Sequence, residues 1–159
     1  MVNLFTFMEN KSLVILGSSR KNSLTEKITH QSLEGKEYDL IDLIDYKIAH
    51  FNYDGRYPAD DQFDDIINRM LGYPDVIFAT PVYWYSMSGE MKIFFDRLTD
   101  LITIKKDLGK QLKGKTASMI AVGTDESIPE GFETPFKHTA AYLGIQYNGC
   151  SYHAVDVKY

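Results

Sequence analysis

A loop rich in hydroxyl groups follows the first strongly apolar segment of this sequence. Residues 13–16, Leu-Val-Ile-Leu, predict a short buried strand, and the polar loop 17–22 leads directly into helix-forming residues. Ser23 and Glu26 have the spacing of a capping box, so the helix is expected to begin at Ser23 or one residue earlier. The free amides of its first turn, the hydroxyl groups and the charge of Arg20 favour an anion, so the loop is predicted to hold a phosphate. The alternative is a strand–helix turn whose serines only cap the helix.

Apolar strands continue to alternate with amphipathic helices along the rest of the chain. Five strands separated by helices predict a parallel, doubly wound α/β sheet, because right-handed crossovers place the helices on both faces. Ligands of such sheets bind at the carboxyl ends of the strands, so the loops after strands one, three and four are the candidate site. The strands are expected at residues 13–16, 38–43, 75–80, 116–122 and 145–154, and the helices near residues 23–34, 63–70, 91–101 and 134–143.

Size, charge and cysteine content narrow the classes of protein. The length predicts one domain, residues 1–159, in which residues 1–11 form an N-terminal extension. A formal net charge of −5 argues against nucleic-acid binding, and no apolar run is long enough to predict a membrane span. Cys150 is the only cysteine, which excludes an internal disulfide and favours the cytoplasm. Cys150 and His153 have no further histidine at ligand spacing, so no metal site is predicted.

Two segments of the chain resemble a known family. The loop GSSRKNSLT, residues 17–25, and the segment PVYWYSMSGEMKIFFDRL, residues 81–98, resemble the NAD(P)H-dependent FMN reductase family of flavodoxin-like proteins, and the likeness extends over about residues 12–155. It implies a flavodoxin-like three-layer sandwich with strand order 2-1-3-4-5. It also implies FMN as cofactor, NADPH or NADH as co-substrate, and a small-molecule electron acceptor such as a quinone, a free flavin or an azo compound. Because the flavin carries the chemistry, no catalytic side chain is predicted.

The resemblance also implies where FMN would lie. Its phosphate would sit in the first loop and its ring against residues 81–87, where consecutive aromatic side chains offer flat contacts and backbone amides offer donors. Three adjacent aromatics cannot all face one way, so one is expected to point toward a substrate or a second subunit. Core packing or a dimer interface is the alternative for each of them. The implied phosphate contacts are Ser18, Arg20, Asn22, Ser23, Leu24 and Thr25, and the implied ring contacts are Pro81, Val82, Tyr83, Trp84, Tyr85, Ser86 and Gly123, with the amides of residues 83–86 as donors.

Several features depart from the family pattern or invite a plainer interpretation. The loop after strand four, residues 123–127, has one glycine and two acids, and a helix after strand five is expected to be absent. The sheet face near strand five would then be uncovered, which predicts a homodimer. Arg20 or Lys21 beside the phosphate loop is the only signal for NADPH over NADH. A cluster of acids at the start of the second helix predicts a solvated surface rather than a metal site: Asp60, Asp61, Asp64 and Asp65.

Two other functions remain compatible with this sequence. The first is a flavodoxin-type electron carrier, which would bind FMN without turnover of NAD(P)H. The second is a domain of the same fold that has lost its flavin and acts as a binding or regulatory partner. A nucleoside triphosphatase loop, a dinucleotide-binding glycine motif and a serine-hydrolase elbow all lack their sequence signatures.

Overall fold

A five-stranded sheet forms the centre of the computed structural model, which describes residues 10–157. All neighbouring strands are parallel, and their order is β2-β1-β3-β4-β5. The predicted flavodoxin-like sheet is therefore confirmed, with β2 at one edge and β5 at the other. The strands are Ser12–Leu16 (β1), Tyr38–Asp42 (β2), Asp75–Pro81 (β3), Thr116–Gly123 (β4) and Gln146–Ala154 (β5).

The helices follow the apolar patterns of the sequence, with shifts at their ends. In the second helix the apolar residues spaced i, i+3, i+4 and i+7 are all buried, as this spacing predicts: Phe63, Ile66, Ile67 and Met70. The third helix is shorter than predicted because its last turn tightens into a 3₁₀ helix, Leu98–Ile102. A further 3₁₀ helix spans Leu43–Asp45. The α-helices are Leu24–Ser32 (α1), Phe63–Leu71 (α2), Gly89–Arg97 (α3), Lys106–Lys110 (α4) and Thr134–Tyr142 (α5).

Alternate residues of the strands supply two cores on opposite faces of the sheet. Leu13 and Ile15 of β1 join the larger core, in which α2, α3 and α5 pack on the sheet. Val14 and Leu16 join a smaller core on the other face, where Leu33 at the end of α1 contacts it. The four β1 side chains are fully buried because β1 is a central strand covered on both faces.

The sheet face beside β5 forms an open groove of about 310 Å³ next to α1. Its rim carries the hydroxyl groups of Ser32, Ser118 and Ser151, and the apolar Ile77 and Ile120 below them are buried. Residues 155–157, the described residues after β5, contain no helix. Because the rim is polar and the two isoleucines are buried, exposing this face to water costs less free energy than exposing an apolar face would. Across residues 10–157, no helix is both long enough and apolar enough to cross a membrane.

A buried ion-pair cluster joins the long connection between β2 and α2 to the end of α3. Arg97 is fully buried, and its guanidinium group donates to both carboxylate oxygens of Asp61 at 2.8 and 3.0 Å. It also donates to Asp100 at 3.0 Å and to the Ala49 carbonyl oxygen at 3.0 Å. The guanidinium carbon lies 3.4 Å from the centre of the Tyr57 ring. This one side chain therefore anchors the middle of the connection, its end before α2 and the turn after α3.

The cluster overturns the interpretation of Asp61 as a solvated acid. Asp60 is exposed beside Lys47, and Asp64 pairs with Lys105, but the side chain of Asp61 is only 8% exposed. Burial alone would raise the pKa of Asp61, but the bonds from Arg97 and from the Ala49 amide lower it below its usual value. The error arose because the partner of Asp61 lies 36 residues away in sequence.

Replacing Arg97 by methionine tests this cluster. The substitution leaves Asp61 and Asp100 buried without a cation, so the free energy of unfolding in urea should fall by about 3–5 kcal/mol at neutral pH. Lys92→Met is the matched control, because Lys92 pairs with Asp96 on an exposed helix surface; it should cost less than about 1 kcal/mol.

The pH dependence follows from the lowered pKa of Asp61. Its contribution to stability is present above the unfolded-state pKa and is lost as the pH falls through the folded-state pKa. The stability difference between wild type and Arg97→Met should therefore shrink in acid. Equal losses for Arg97→Met and Lys92→Met would show that the cluster does not stabilise the fold.

Candidate functional site

The loop after β1 presents a run of backbone amides that meet no protein acceptor. The Gly17 amide still donates to the Ala79 carbonyl oxygen of β3 at 2.8 Å. From Ser18 to Thr25, eight consecutive N–H groups donate no hydrogen bond to any residue between 10 and 157. Free amides that converge at a helix start form a site for an anion.

Several of these amides belong to residues that are themselves buried. Ser18, Ser23 and Thr25 are each at most 4% exposed, and buried N–H groups are almost always paired in folded proteins. The Ser23 hydroxyl accepts a hydrogen bond from the Glu26 amide at 3.1 Å, so half of the predicted capping box forms. The hydroxyls of Ser18 and Thr25 make no bond to the rest of the described chain. An external acceptor is therefore needed to satisfy this loop.

The cations of the loop differ in their availability. Lys21 contacts the carboxylates of Asp42, the last residue of β2, and of Asp45, in the 3₁₀ helix that follows. Burial is the main reason that the pKa of Asp42 is raised, although Lys21 opposes the shift. Arg20 is exposed and makes no salt bridge within the described part of the chain. Of the two predicted cations, Arg20 is thus the one free to meet a ligand.

The aromatic segment after β3 forms a two-residue hairpin turn. The Tyr83 amide donates to the Ser86 carbonyl oxygen at 2.9 Å, and the Ser86 amide donates back at 3.0 Å. Trp84 and Tyr85, the two residues between Tyr83 and Ser86, have positive φ angles of 46° and 65°. This turn geometry is normally adopted by Asn-Gly. Two of the four predicted donor amides are therefore used inside the turn. The amides of Trp84 and Tyr85 have no acceptor among the described residues.

The side chains of this turn face solvent or the first loop rather than the core. Trp84 is 92% exposed and Tyr85 is 67% exposed. Tyr83 is partly covered, and its hydroxyl lies 2.9 Å from the hydroxyl of Ser19 in the loop after β1. Core packing is therefore excluded as the role of these aromatics, and the two predicted contact segments touch each other.

A second, buried contact joins the same two loops. Ser88, which caps the N-terminus of α3, donates a hydrogen bond to the Gly17 carbonyl oxygen at 2.5 Å. A Cβ atom on Gly17 would lie 2.8 Å from Cβ of Met91, so the backbone just after β1 meets α3 with no room for a side chain. Ser88 was not among the predicted site residues, although a serine just before an amphipathic helix is the sequence signal of an N-cap.

The loop after β4 closes the third side of the site. Gly123 is buried beside Val82, and a Cβ on it would lie 2.7 Å from the hydroxyl of Tyr152. Tyr152 donates to the Asp125 carbonyl oxygen at 2.7 Å and so holds this loop against β5. The acids Asp125 and Glu126 are exposed. Gly123 thus lies next to residues 81–87, the segment against which the resemblance would place the flavin ring and which is called the ring segment below.

The remaining nucleophile of the sequence lies away from these loops. Burial raises the pKa of the Cys150 thiol to about 12, so it is protonated and weakly reactive at neutral pH. His153 contacts Ser32 and Ser151 at the groove beside α1. Among residues 10–157, no group of three or more His, Cys, Asp or Glu side chains is placed to hold a metal ion.

The three loops therefore bring the predicted contact residues together at one edge of the sheet. The first loop offers amides and hydroxyls to an anion, the turn offers aromatic surface and two amides, and Gly123 packs against Val82 and Tyr152 at the third side. These donors fit a ligand with a phosphate at one end and a flat ring at the other, as FMN has. A parallel sheet in this order with its site at the carboxyl ends defines a flavodoxin-like protein.

Comparisons with known proteins place the chain within that class. The family model described as NADPH-dependent FMN reductase matches residues 10–156. YwqN of Bacillus subtilis (strain 168), described as an NAD(P)H-dependent FMN-containing oxidoreductase, is 32% identical over 148 residues, which are 87% of this chain and 82% of that protein. The chain therefore belongs to the NADPH-dependent FMN reductase family. The predicted class of activity, an FMN-dependent oxidoreductase that uses NAD(P)H, is confirmed by this membership.

Solved structures agree with the fold. The structure of Trp repressor binding protein from Bacillus subtilis has a TM-score of 0.71 and 26% identity, and the match covers 92% of this chain and 88% of that one. RosB, solved with a bound riboflavin-phosphate derivative, has a TM-score of 0.73 at 15% identity, with coverage of 94% and 67%. At that identity the second likeness concerns the fold alone.

Replacing Gly17 by alanine tests the close approach of β1 to α3. The added methyl group would press on the Cβ of Met91, which cannot move without its helix, so stability should fall by about 1–3 kcal/mol. Because the loop would be displaced, FMN affinity should fall as well. Gly89→Ala adds the same methyl group one residue after Ser88, where no atom lies within 4 Å, and should leave both properties unchanged. Equal behaviour of the two variants in urea unfolding and FMN titration would contradict the packing argument.

Proposed function

We propose that FMN lies along the carboxyl edge of the sheet, with its phosphate in the loop after β1. The observation that supports this most strongly is the run of eight unpaired amides from Ser18 to Thr25 at the positive end of α1, several of them on buried residues. Arg20 adds a positive charge at the exposed side of this loop. The hydroxyls of Ser18 and Thr25 are free to donate to phosphate oxygens. The role of Asn22 is conformational, because its φ of 51° turns the loop into the helix.

The ring would then meet the hairpin turn after β3. The free amides of Trp84 and Tyr85 are the donors available to its polar edge, where a reduced flavin accumulates negative charge. Pro81, Val82 and Gly123 form the adjacent wall, and Tyr83 reaches the first loop through Ser19. The bound flavin supplies the redox chemistry, while these residues bind and orient it.

An exposed aromatic surface beside the ring suits a small, flat electron acceptor. Trp84 and Tyr85 stand free at the tip of the turn, and aromatic rings stack well on planar ligands. We therefore retain quinones, free flavins and azo compounds as the proposed acceptors. Lys21 is already paired with Asp42 and Asp45, so Arg20 is the residue proposed to favour the additional phosphate of NADPH.

Anaerobic reduction tests the proposed function. When the protein reconstituted with FMN is mixed with NADPH, the absorbance band of the oxidised flavin should bleach, and it should return when a quinone is added. A bound flavin that stays oxidised with both NADPH and NADH would indicate an electron carrier instead. Failure to bind FMN at all would indicate a flavin-free domain and refute the proposed site.

We further propose that the protein is a cytoplasmic homodimer. A single cysteine, which cannot form an internal disulfide, supports the reducing environment of the cytoplasm as its location. The assembly is supported by an exposed apolar groove of about 330 Å³ between α3 and α5, lined by Phe95, Ile102, Tyr142 and Leu143. Tyr142 is 75% exposed there, whereas the groove beside β5 has a polar rim. A second copy of the chain covering the apolar groove would remove this surface from water.

Sedimentation experiments test the dimer. The wild-type protein should sediment with the mass of two chains, and Tyr142→Lys should shift it toward one chain because a charge would be buried in the interface. Lys137→Ala, on an exposed part of the same helix, is the control and should leave the mass unchanged. A monomer mass at every concentration of the wild type would refute the dimer.

A further inference from the structure

Ser88 makes contacts that join the two loops of the proposed FMN site. It is fully buried, and its hydroxyl donates to the Gly17 carbonyl oxygen at 2.5 Å while accepting from the Met91 amide at 3.1 Å. The Met91 bond is an ordinary helix cap. The Gly17 bond is different, because it connects positions 71 residues apart and ends on the first residue of the phosphate loop.

The backbone of Ser88 is fixed from the opposite side. Its amide donates to the Thr80 hydroxyl at 3.1 Å, and that hydroxyl donates to the Pro81 carbonyl oxygen at 2.9 Å. Thr80 is fully buried within β3. Ser88 is therefore held by β3, the strand that leads into the ring segment. Its hydrogen bond to Gly17 fixes the start of the phosphate loop relative to that strand. The exposed contact between Ser19 and Tyr83 is weaker, because water competes for it.

The bond to Gly17 also determines the direction of the first free amide. The carbonyl group of Gly17 and the N–H of Ser18 belong to one planar trans peptide, in which the two bonds point in opposite directions. No cis peptide bond occurs in residues 10–157. When Ser88 holds the carbonyl oxygen toward α3, the Ser18 amide must point away from α3, into the phosphate loop.

We propose that Ser88 is a positioning residue that sets the spacing between the phosphate loop and the ring segment. This inference rests on the proposed placement of FMN. FMN would bridge the two loops. Once its phosphate is bound, its ring is held close to the ring segment, and this high effective concentration of the ring raises the affinity of the whole molecule. That advantage depends on the relative position of the loops. Ser88 therefore contributes most to the binding of intact FMN. It contributes less to the binding of phosphate alone, through the direction of the Ser18 amide, and it does not contribute to the binding of riboflavin.

Ligands that occupy one loop or both distinguish this role from a general structural one. Ser88→Ala and Ser88→Gly both remove the hydroxyl, but glycine retains most of the stability of a helix cap. Both variants should bind FMN about tenfold more weakly, the size expected for one lost buried hydrogen bond. Riboflavin, which lacks the phosphate, should bind as it does to wild type. Inorganic phosphate, which lacks the ring, should lose less affinity than FMN, because the Ser18 amide is only one of the free donors of the loop. FMN and riboflavin are followed by flavin fluorescence, and phosphate by amide NMR shifts.

Thr116→Val is the matched control. Thr116 donates to Asp75 at 2.6 Å at the amino end of the sheet, so the variant loses a hydrogen bond without touching either loop. Its affinity for all three ligands should be unchanged. Unchanged FMN affinity in both Ser88 variants would overturn the inference, and so would an equal loss for FMN, riboflavin and phosphate. If the wild-type chain binds riboflavin and phosphate but not FMN, or none of them, the proposed FMN site itself fails.

Discussion

Gly17 leaves β1 with its backbone against the first turn of α3, so close that a side chain there would collide with Met91. The approach is possible because β1 and β3 are adjacent parallel strands whose carboxyl ends lie side by side, with Leu16 opposite Ala79. The loop after β1 therefore begins at a fixed point of the larger core. Its amides donate to no described residue and are available to a ligand.

Two features at the same edge of the sheet cost free energy in the protein without ligand, and a bound ligand would offset that cost. Two adjacent residues, Trp84 and Tyr85, adopt left-handed backbone angles that cost about 1–3 kcal/mol each for residues other than glycine. Buried amides in the first loop lack acceptors. Stability comes from elsewhere, chiefly the apolar core and the Arg97 cluster, which lies away from these loops. Such a distribution is typical of a site whose structure is completed by its cofactor.

Local patterns in the sequence were sufficient for the five strands, for four of the five α-helices and for the polar loop after β1, whereas the sheet order came from the family resemblance and the short α4 was not predicted. The apolar run of β1 and the cap at Ser23 each depend on neighbouring residues, so spacing alone reveals them. The bond between Arg97 and Asp61 and the bond between Ser88 and Gly17 connect distant segments and leave no local signal. The hairpin at Trp84 was hidden for another reason, since its residue types rarely adopt that turn. Tertiary contacts decided these features.

The central claim is that the unpaired amides after β1 receive the phosphate of FMN. Two-dimensional amide NMR spectra of the labelled protein, recorded during titration with FMN, test it most directly. The account predicts that the largest shifts occur at Ser18 to Thr25 and at Trp84 and Tyr85, and that inorganic phosphate reproduces only the first group. Shifts confined to the groove between α1 and β5, or to the apolar groove beside α5, would contradict it.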